Sequence, residues 1–272
     1  MNNYLNKNPL DKNSNKNTIN EFNIFNLIDI RLESIEKNLR NIKNILAIVS
    51  PKGGVGKSTF IFLLSNYLHY IKKEIGILDL DLTNPCLDVI FNAKNVKFQE
   101  HNGIIPPTLF NNIKLLSINQ FIKPDEILPL RGNEITQVIL ELLTITNWGN
   151  LDYLLIDTPP TITDTFLDLL RFIPFIKLIL ITDNSTLSLN SITKFIKIIK
   201  EKKLDILFIV FNQLHKYSYD DNGIINNYLK FLTNEIPNYI YLDYIENIEN
   251  YYGKMDINIL KKEIYEKFQK IF

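Results

Sequence analysis

The chain has 272 residues, 46% hydrophobic and 22% charged, enough apolar material for one sizeable core and a length that allows one or two domains. Thirty basic and thirty acidic side chains give a formal net charge of zero, which argues against a protein whose main business is coating nucleic acid or an anionic membrane. The single cysteine, Cys86, excludes an intramolecular disulfide framework and any multi-cysteine metal site within one chain.

Residues 1–20 hold eight asparagines plus Lys7, Lys12 and Lys16 and almost nothing to bury, so a disordered tail is expected there. Over 22–42 apolar residues recur at helical spacing (Ile28, Leu32, Ile35, Leu39, Ile42) with charges between them, predicting a helix within 21–44 that lies on the domain that follows. From residue 45 onward short β-branched runs alternate with amphipathic stretches. Strands are expected at 45–50, 75–80, 113–118, 151–157, 175–182, 204–212 and 238–242. Helices are expected at 57–71, 134–146, 164–172, 189–200 and 224–232. Strands this uniformly apolar are buried on both faces, so the expected fold is a single α/β domain over 45–272, a mostly parallel doubly wound sheet of about seven strands covered by helices on both sides. The span 85–129, with four prolines beyond Pro85 (106, 107, 124, 129), reads as loops and an insertion at the sheet edge. No apolar run approaches the ~20 residues a membrane-spanning helix needs and no signal-type run opens the chain, so a soluble, cytoplasmic protein is expected. The stretch 257–272 carries an apolar stripe (Ile257, Leu260, Ile264, Phe268, Phe272) beside four lysines; it suits packing onto the sheet or resting on an anionic membrane.

Ligands of such folds sit beyond the carboxyl ends of the strands. The first strand runs directly into Pro51-Lys52-Gly53-Gly54-Val55-Gly56-Lys57-Ser58-Thr59 and then an amphipathic stretch. Glycines at 53, 54 and 56 let backbone N–H groups turn inward around phosphate oxygens, and a helix N-terminus adds its positive dipole end. Lys57 would reach the β- and γ-phosphates, the Ser58 hydroxyl would ligate Mg²⁺, and Thr59 would lie near the α-phosphate. Proline at 51 breaks the strict G-x-x-x-x-G-K-[ST] pattern at its first position. Asp79 and Asp81 close the second strand and Asp157 closes an apolar one; such carboxylates hold Mg²⁺ waters, orient an attacking water, or simply cap a turn. Asn212 ends another strand, where an amide offers one donor and one acceptor to an adenine edge or forms an Asx turn.

The octet Lys52–Thr59 resembles the deviant Walker A loop of the MinD/ParA/Mrp group of dimeric ATPases, some of whose loops also carry the proline. The resemblance implies ATP and Mg²⁺ as ligands and a homodimer in which Lys52 reaches the partner's nucleotide. It implies Asp81 as the aspartate tied to water activation, Asp79 in support of the metal, Asp157 as the second metal aspartate, Asp164 near the same switch, and Asn212 as the base-binding residue. Arg131-Gly132, Trp148-Gly-Asn-Leu-Asp-Tyr-Leu154 and Asp157-x-Pro-Pro-x-x-x-Asp164 are similar to the Mrp (ApbC) branch of iron–sulfur cluster carriers, over roughly residues 31–253. Three departures stand out. Thr161 and Thr163 replace usual glycines, Tyr241 replaces a proline, and the segment after Asn212, where that branch carries Cys-x-x-Cys, contains His215 but no cysteine. A [4Fe–4S] cluster bridged by two such pairs cannot be built here, since Cys86 supplies at most two thiolates per dimer. The expectation is therefore an ATP-hydrolysing dimeric switch resembling the carriers, with iron–sulfur apo-proteins as the clients this resemblance implies. A MinD/ParA-like positioning ATPase and a nucleotide-dependent scaffold are the alternatives. Neither a nucleic-acid partner nor membrane attachment is expected.

Overall fold

The computed structural model describes residues 30–82, 84–122, 132–159, 164–214 and 223–272. The expected tail, the first part of the expected N-terminal helix, Arg131, Thr161, Thr163 and His215 lie outside the described residues.

In chain order the elements are α1 (Ile30–Leu39), β1 (Ile42–Val49), α2 (Lys57–Tyr70), β2 (Ile75–Asp79), the one-turn α3 (Leu87–Ile90), β3 (Gln99–Glu100), β4 (Ile104–Ile105), β5 (Thr108–Leu109), β6 (Ile113–Ser117), α4 (Gly132–Ile145), β7 (Leu151–Asp157), α5 (Asp164–Phe172), β8 (Lys177–Asp183), α6 (Thr186–Glu201), β9 (Ile206–Leu214), α7 (Ile224–Glu235), β10 (Tyr239–Asp243) and α8 (Lys262–Ile271). The main sheet has eight strands in the order β10-β9-β8-β1-β7-β2-β6-β5. Seven are mutually parallel; the eighth, β5, runs antiparallel to β6 at the sheet edge. That two-residue strand, and the β3–β4 hairpin beside it, come from the proline-bearing insertion, which is too short in each run to announce a strand. The sheet is otherwise the one the apolar runs predict, with β1 starting at Ile42, three residues earlier than expected.

Alternation along each strand assigns the two faces. Ile45, Ala47 and Val49 of β1 join Leu178 and Leu180 of β8 in a core shared with α1, α4, α5, α6 and α7. Their neighbours Leu46, Ile48, Ile179 and Ile181 face the opposite way, into a core shared with α2, α3 and α8. Helix α1 is tied to α4 by Asn38, whose Nδ2 donates to the Thr144 carbonyl at 2.6 Å, and by Arg31, which donates to Gln137 Oε1 at 2.9 Å.

The apolar stripe of α8 is consumed by packing. Ile264 and Phe268 are buried, and Phe268 stacks edge-on against Phe60 of α2, with Tyr67 of α2 and Phe272 completing the cluster. Aromatic pairs at these spacings add about 0.5–1.5 kcal/mol each beyond the apolar area they bury. Of the two settings that stripe suits, the sheet face is the one it occupies. Among the described residues no helix is long and apolar enough to cross a membrane.

Candidate functional site

Parallel strands finish on one side of a sheet, so Ser50 after β1, Asp79 of β2, Asp157 of β7, Asp183 of β8, Asn212 of β9 and Asp243 of β10 all come to the same edge. Between β1 and α2 the chain turns through Gly54 (φ +77°) and Gly56 (φ +93°), both in the left-handed region that side chains with a Cβ resist. Gly56 is also the N-cap of α2 and supplies no side-chain acceptor. The leading N–H groups of that helix are thus left for a ligand, at the end where its dipole is positive.

Lys57, the first residue of α2, is only 7% exposed. The Ser58 hydroxyl donates to Asp157 Oδ2 at 2.5 Å. Asp157 is 1% exposed, and its other oxygen, Oδ1, is buried without a hydrogen-bond partner. Burial pushes this carboxyl up from 3.8 to about 6, against the opposing pull of the Lys57 ammonium and the Ser58 hydrogen bond. An orphaned carboxylate oxygen beside a serine hydroxyl at a phosphate loop fits a magnesium ion, which takes one or two protein oxygens and completes its shell with water and phosphate. Among the described residues no group of three or more His, Cys, Asp or Glu side chains is placed to cage a metal alone, as a phosphate-shared ion requires none.

Because the folded carboxyl titrates near 6 rather than 3.8, folding Asp157 in its charged form costs stability. The cost is absent below pH ~4, grows as pH rises through about 6, and is then of order 2–3 kcal/mol. Asp157→Asn keeps an acceptor for Ser58 and removes the buried charge. The ligand-free variant is therefore expected to unfold at higher urea than wild type at pH 8 and at the same urea at pH 4, while losing the stabilisation that Mg-ATP gives the wild type. Urea titrations at the two pH values, with and without Mg-ATP, check it.

Asp79 is fully buried and held from three sides: the backbone N–H groups of Asp81 and Leu87 donate to its two oxygens at 3.2 Å each, and Ser117 Oγ approaches at 3.4 Å. Burial and the neighbouring Asp157 carboxylate push its pKa well up. Its oxygens are thus engaged in tying down the turn that leads to α3. Asp81 is half-buried at the rim of the same turn, where Asn84 N–H donates to its Oδ1 at 3.3 Å. Asn212 is buried, and its Nδ2 donates to the Val55 carbonyl at 2.7 Å. It therefore clamps the glycine loop while lining a cavity with Thr59, Asp243, Tyr244, Ile248 and Tyr252. Asp164 begins α5.

The Lys52 amine donates to Ser185 Oγ at 3.2 Å and stands 3.5 Å from Asp183 Oδ2. Sequence reasoning missed this pair and missed Tyr252, which lines the same cavity as Thr59 and Asn212. Asp183 stands first beyond the strand expected at 175–182, a position the strand-end rule singles out, but a lone aspartate there matches no motif. Cys86 lies half-buried beside the same carboxylates. Burial first, then Asp79, Asp157 and Asp81, push its thiol up to about 11, against a hydrogen bond with Ser58. A thiol held protonated in this way is a poor cluster ligand, and the residues described here do not fit an iron–sulfur centre.

A parallel sheet whose first strand feeds a glycine loop, with a buried lysine at the start of the next helix and a carboxylate bonded to the following serine, defines a P-loop NTPase. The chain belongs to the ParA family described as NUBPL iron-transfer P-loop NTPases, whose profile matches residues 41–248. It is similar to the iron–sulfur cluster carrier protein of Rickettsia conorii (33% identical over 178 residues, 65% of this chain and 56% of the relative). It is likewise similar to the carrier of Methanocaldococcus jannaschii (35% over 171 residues, 61% and 59%). The matches thus span little more than half the length of these curated relatives. Among solved structures it shares its fold with a nucleotide-binding protein from Archaeoglobus fulgidus in complex with ADP (TM-score 0.69, 24% identity, 87% of this chain and 96% of that one). The Pyrococcus furiosus cell division ATPase MinD shows the same fold (TM-score 0.59, 19% identity, 84% and 97%).

Proposed function

We propose that this P-loop NTPase binds ATP with Mg²⁺ and hydrolyses it as a face-to-face homodimer, a nucleotide-driven switch of the iron–sulfur carrier kind that lacks the usual cluster-holding cysteines. The observation that carries the reading is the pairing of Ser58 with Asp157, whose second oxygen is orphaned beside the buried Lys57. Lys57 would hold the β- and γ-phosphates and the N–H groups at Gly53, Gly54, Val55 and Gly56 would cradle them. Thr59 would reach the α-phosphate. Ser58 and Asp157 would hold the metal, with Asp79 fixing the turn behind it. Magnesium, when bound, neutralises charge on the β- and γ-phosphate oxygens. Asp81 would orient the attacking water, and Lys52 of one subunit would neutralise charge developing on the other subunit's γ-phosphate. Asn212 and its cavity would receive the base. Loss of the γ-phosphate would release the turns after β2 and β7 and open the dimer.

The relatives are carriers by name, which favours iron–sulfur apo-proteins as clients, and the buried stripe of α8 weighs against a surface-cycling positioning ATPase. Two measurements on the purified chain test the reading. Turnover of Mg-ATP per chain is expected to climb with protein concentration and to vanish in EDTA; a rate per chain that stays flat would overturn the dimeric mechanism. Anaerobic reconstitution with iron and sulfide is expected to leave wild type and Cys86→Ser equally colourless, and a cluster spectrum lost in that variant would return the carrier's cargo to this chain.

A further inference from the structure

Lys52 sits in a seat built for it at the end of β8. Asp183 is 20% exposed and Lys52 39%, so the contact is sheltered without being sealed. One carboxylate oxygen of Asp183 is fixed by its own turn: the Ser185 N–H donates to Oδ1 at 2.9 Å and the Ser185 hydroxyl at 2.5 Å. Ser185 in turn is the N-cap of α6, accepting from the Ser188 N–H at 3.3 Å. These bonds leave Oδ2 as the oxygen facing the lysine amine at 3.5 Å, with the Ser185 hydroxyl at 3.2 Å on the other side. At its own end Lys52 is steadied by its backbone N–H, which donates to Ser50 Oγ at 3.2 Å. Burial opposes the charge on Asp183, yet the bonds from Ser185 and Ser188 and the Lys52 amine outweigh it and hold the carboxyl below the usual range.

An amine held on the β8 end of its own sheet is not at a second copy's phosphates. We propose that Asp183, seated by Ser185, is a positioning residue that withholds Lys52 from the neighbouring subunit's nucleotide until two ATP-loaded copies meet, when the lysine exchanges a carboxylate for a phosphate. This rests on the cross-dimer reading of Lys52 given above. The device keeps a lone subunit from offering its lysine freely and sets the threshold for dimer formation. Two seats empty for each dimer formed, so the penalty enters twice. A pair this exposed is worth about two- to fivefold, which makes the expected effect on the monomer–dimer constant about four- to twenty-five-fold.

The test uses the full chain with Asp183→Asn, which retains an acceptor for Ser185 and removes the charge. Sedimentation in Mg-ATP should show dimerisation tighter by that factor. Turnover below the dimerisation midpoint should rise in step, and ATP affinity of the monomer should change by less than about twofold. Placed on a Lys52→Ala background, the same substitution should leave dimerisation unchanged. Reductive methylation read by mass spectrometry gives a readout independent of assembly: Lys52 should label faster in the ATP-free variant than in wild type, with Lys202, near the far end of α6, unchanged. Asp183→Asn that leaves dimerisation and Lys52 labelling as in wild type overturns the seat, while the cross-dimer mechanism stands if Lys52→Ala still abolishes turnover. A gain that persists without Lys52 also overturns it, because the effect would then lie in α6 capping. Wild-type turnover in Lys52→Ala removes the mechanism on which the seat depends.

Discussion

Lys57→Ala is expected to leave a chain that no longer binds nucleotide at concentrations that saturate the wild type. The amine is almost wholly buried at the start of α2, in a place where a phosphate would meet it with little water between. Removing one partner of a buried, hydrogen-bonded charge pair costs about 2–5 kcal/mol, so the dissociation constant for Mg-ATP should rise about 30- to several-thousand-fold. Isothermal calorimetry reads this directly. The variant should also lose stability in the absence of ligand. The Lys57 ammonium is the largest influence holding the Asp157 pKa down against burial, and without it the buried carboxyl rises further. A shift of the melting curve with binding intact within twofold would refute the role in binding while leaving the electrostatic one.

Lys52→Ala is expected to separate the two steps. The side chain is half exposed and bonded to residues of β8 and α6, not to the glycine loop's interior, so removing it should leave Mg-ATP affinity within about threefold. A cation delivered onto the transferring phosphoryl group from a second protein is worth about 10³–10⁵ in rate, and turnover should fall by a factor in that range at protein concentrations where wild-type turnover has reached its plateau. Phosphate release and calorimetry on one preparation check both halves. Equal ATPase rates in wild type and variant would sink the cross-dimer role of Lys52.

Most of the scaffold was legible because burial on both faces leaves a plain mark. The runs that became β1, β2, β6, β7, β8 and β9 are rich in Ile, Leu, Val and Phe, and few other structures tolerate that, whereas β10 (Tyr-Ile-Tyr-Leu-Asp) buries only Ile240 and Leu242. The glycine loop was legible for a similar reason: strand, Gly54, Gly56 and Lys57 constrain backbone and charge together. What escaped was set by partners distant in sequence. The two-residue β5 exists only because β6 offers it an edge. The seat of Lys52 joins residues 131 positions apart, and no local pattern marks either end of such a contact. Asn212 shows the intermediate case. Its position at a strand end was readable, but its hydrogen bond to Val55 across the site was not, and that bond makes it a clamp on the loop as well as a candidate for the base.

The aromatic cluster joining α2 to α8 decides which parts of this molecule are stator and which are rotor. Phe60 and Tyr67 lie on the helix that begins at Lys57, and both pack against Phe268, Phe60 edge-on and Tyr67 at a tilt, in an interior packed as densely as an organic crystal. The phosphate end of α2 therefore rides on a fixed axle. In the proposed switch, a change at the γ-phosphate could not be relayed by tilting that helix without breaking the cluster, so it would fall to the lighter pieces at the strand ends. The turn after β2 is tied down in part by the hydrogen bonds of one buried carboxylate, Asp79. Loosening them would free the turn to move while the nucleotide's platform stays still.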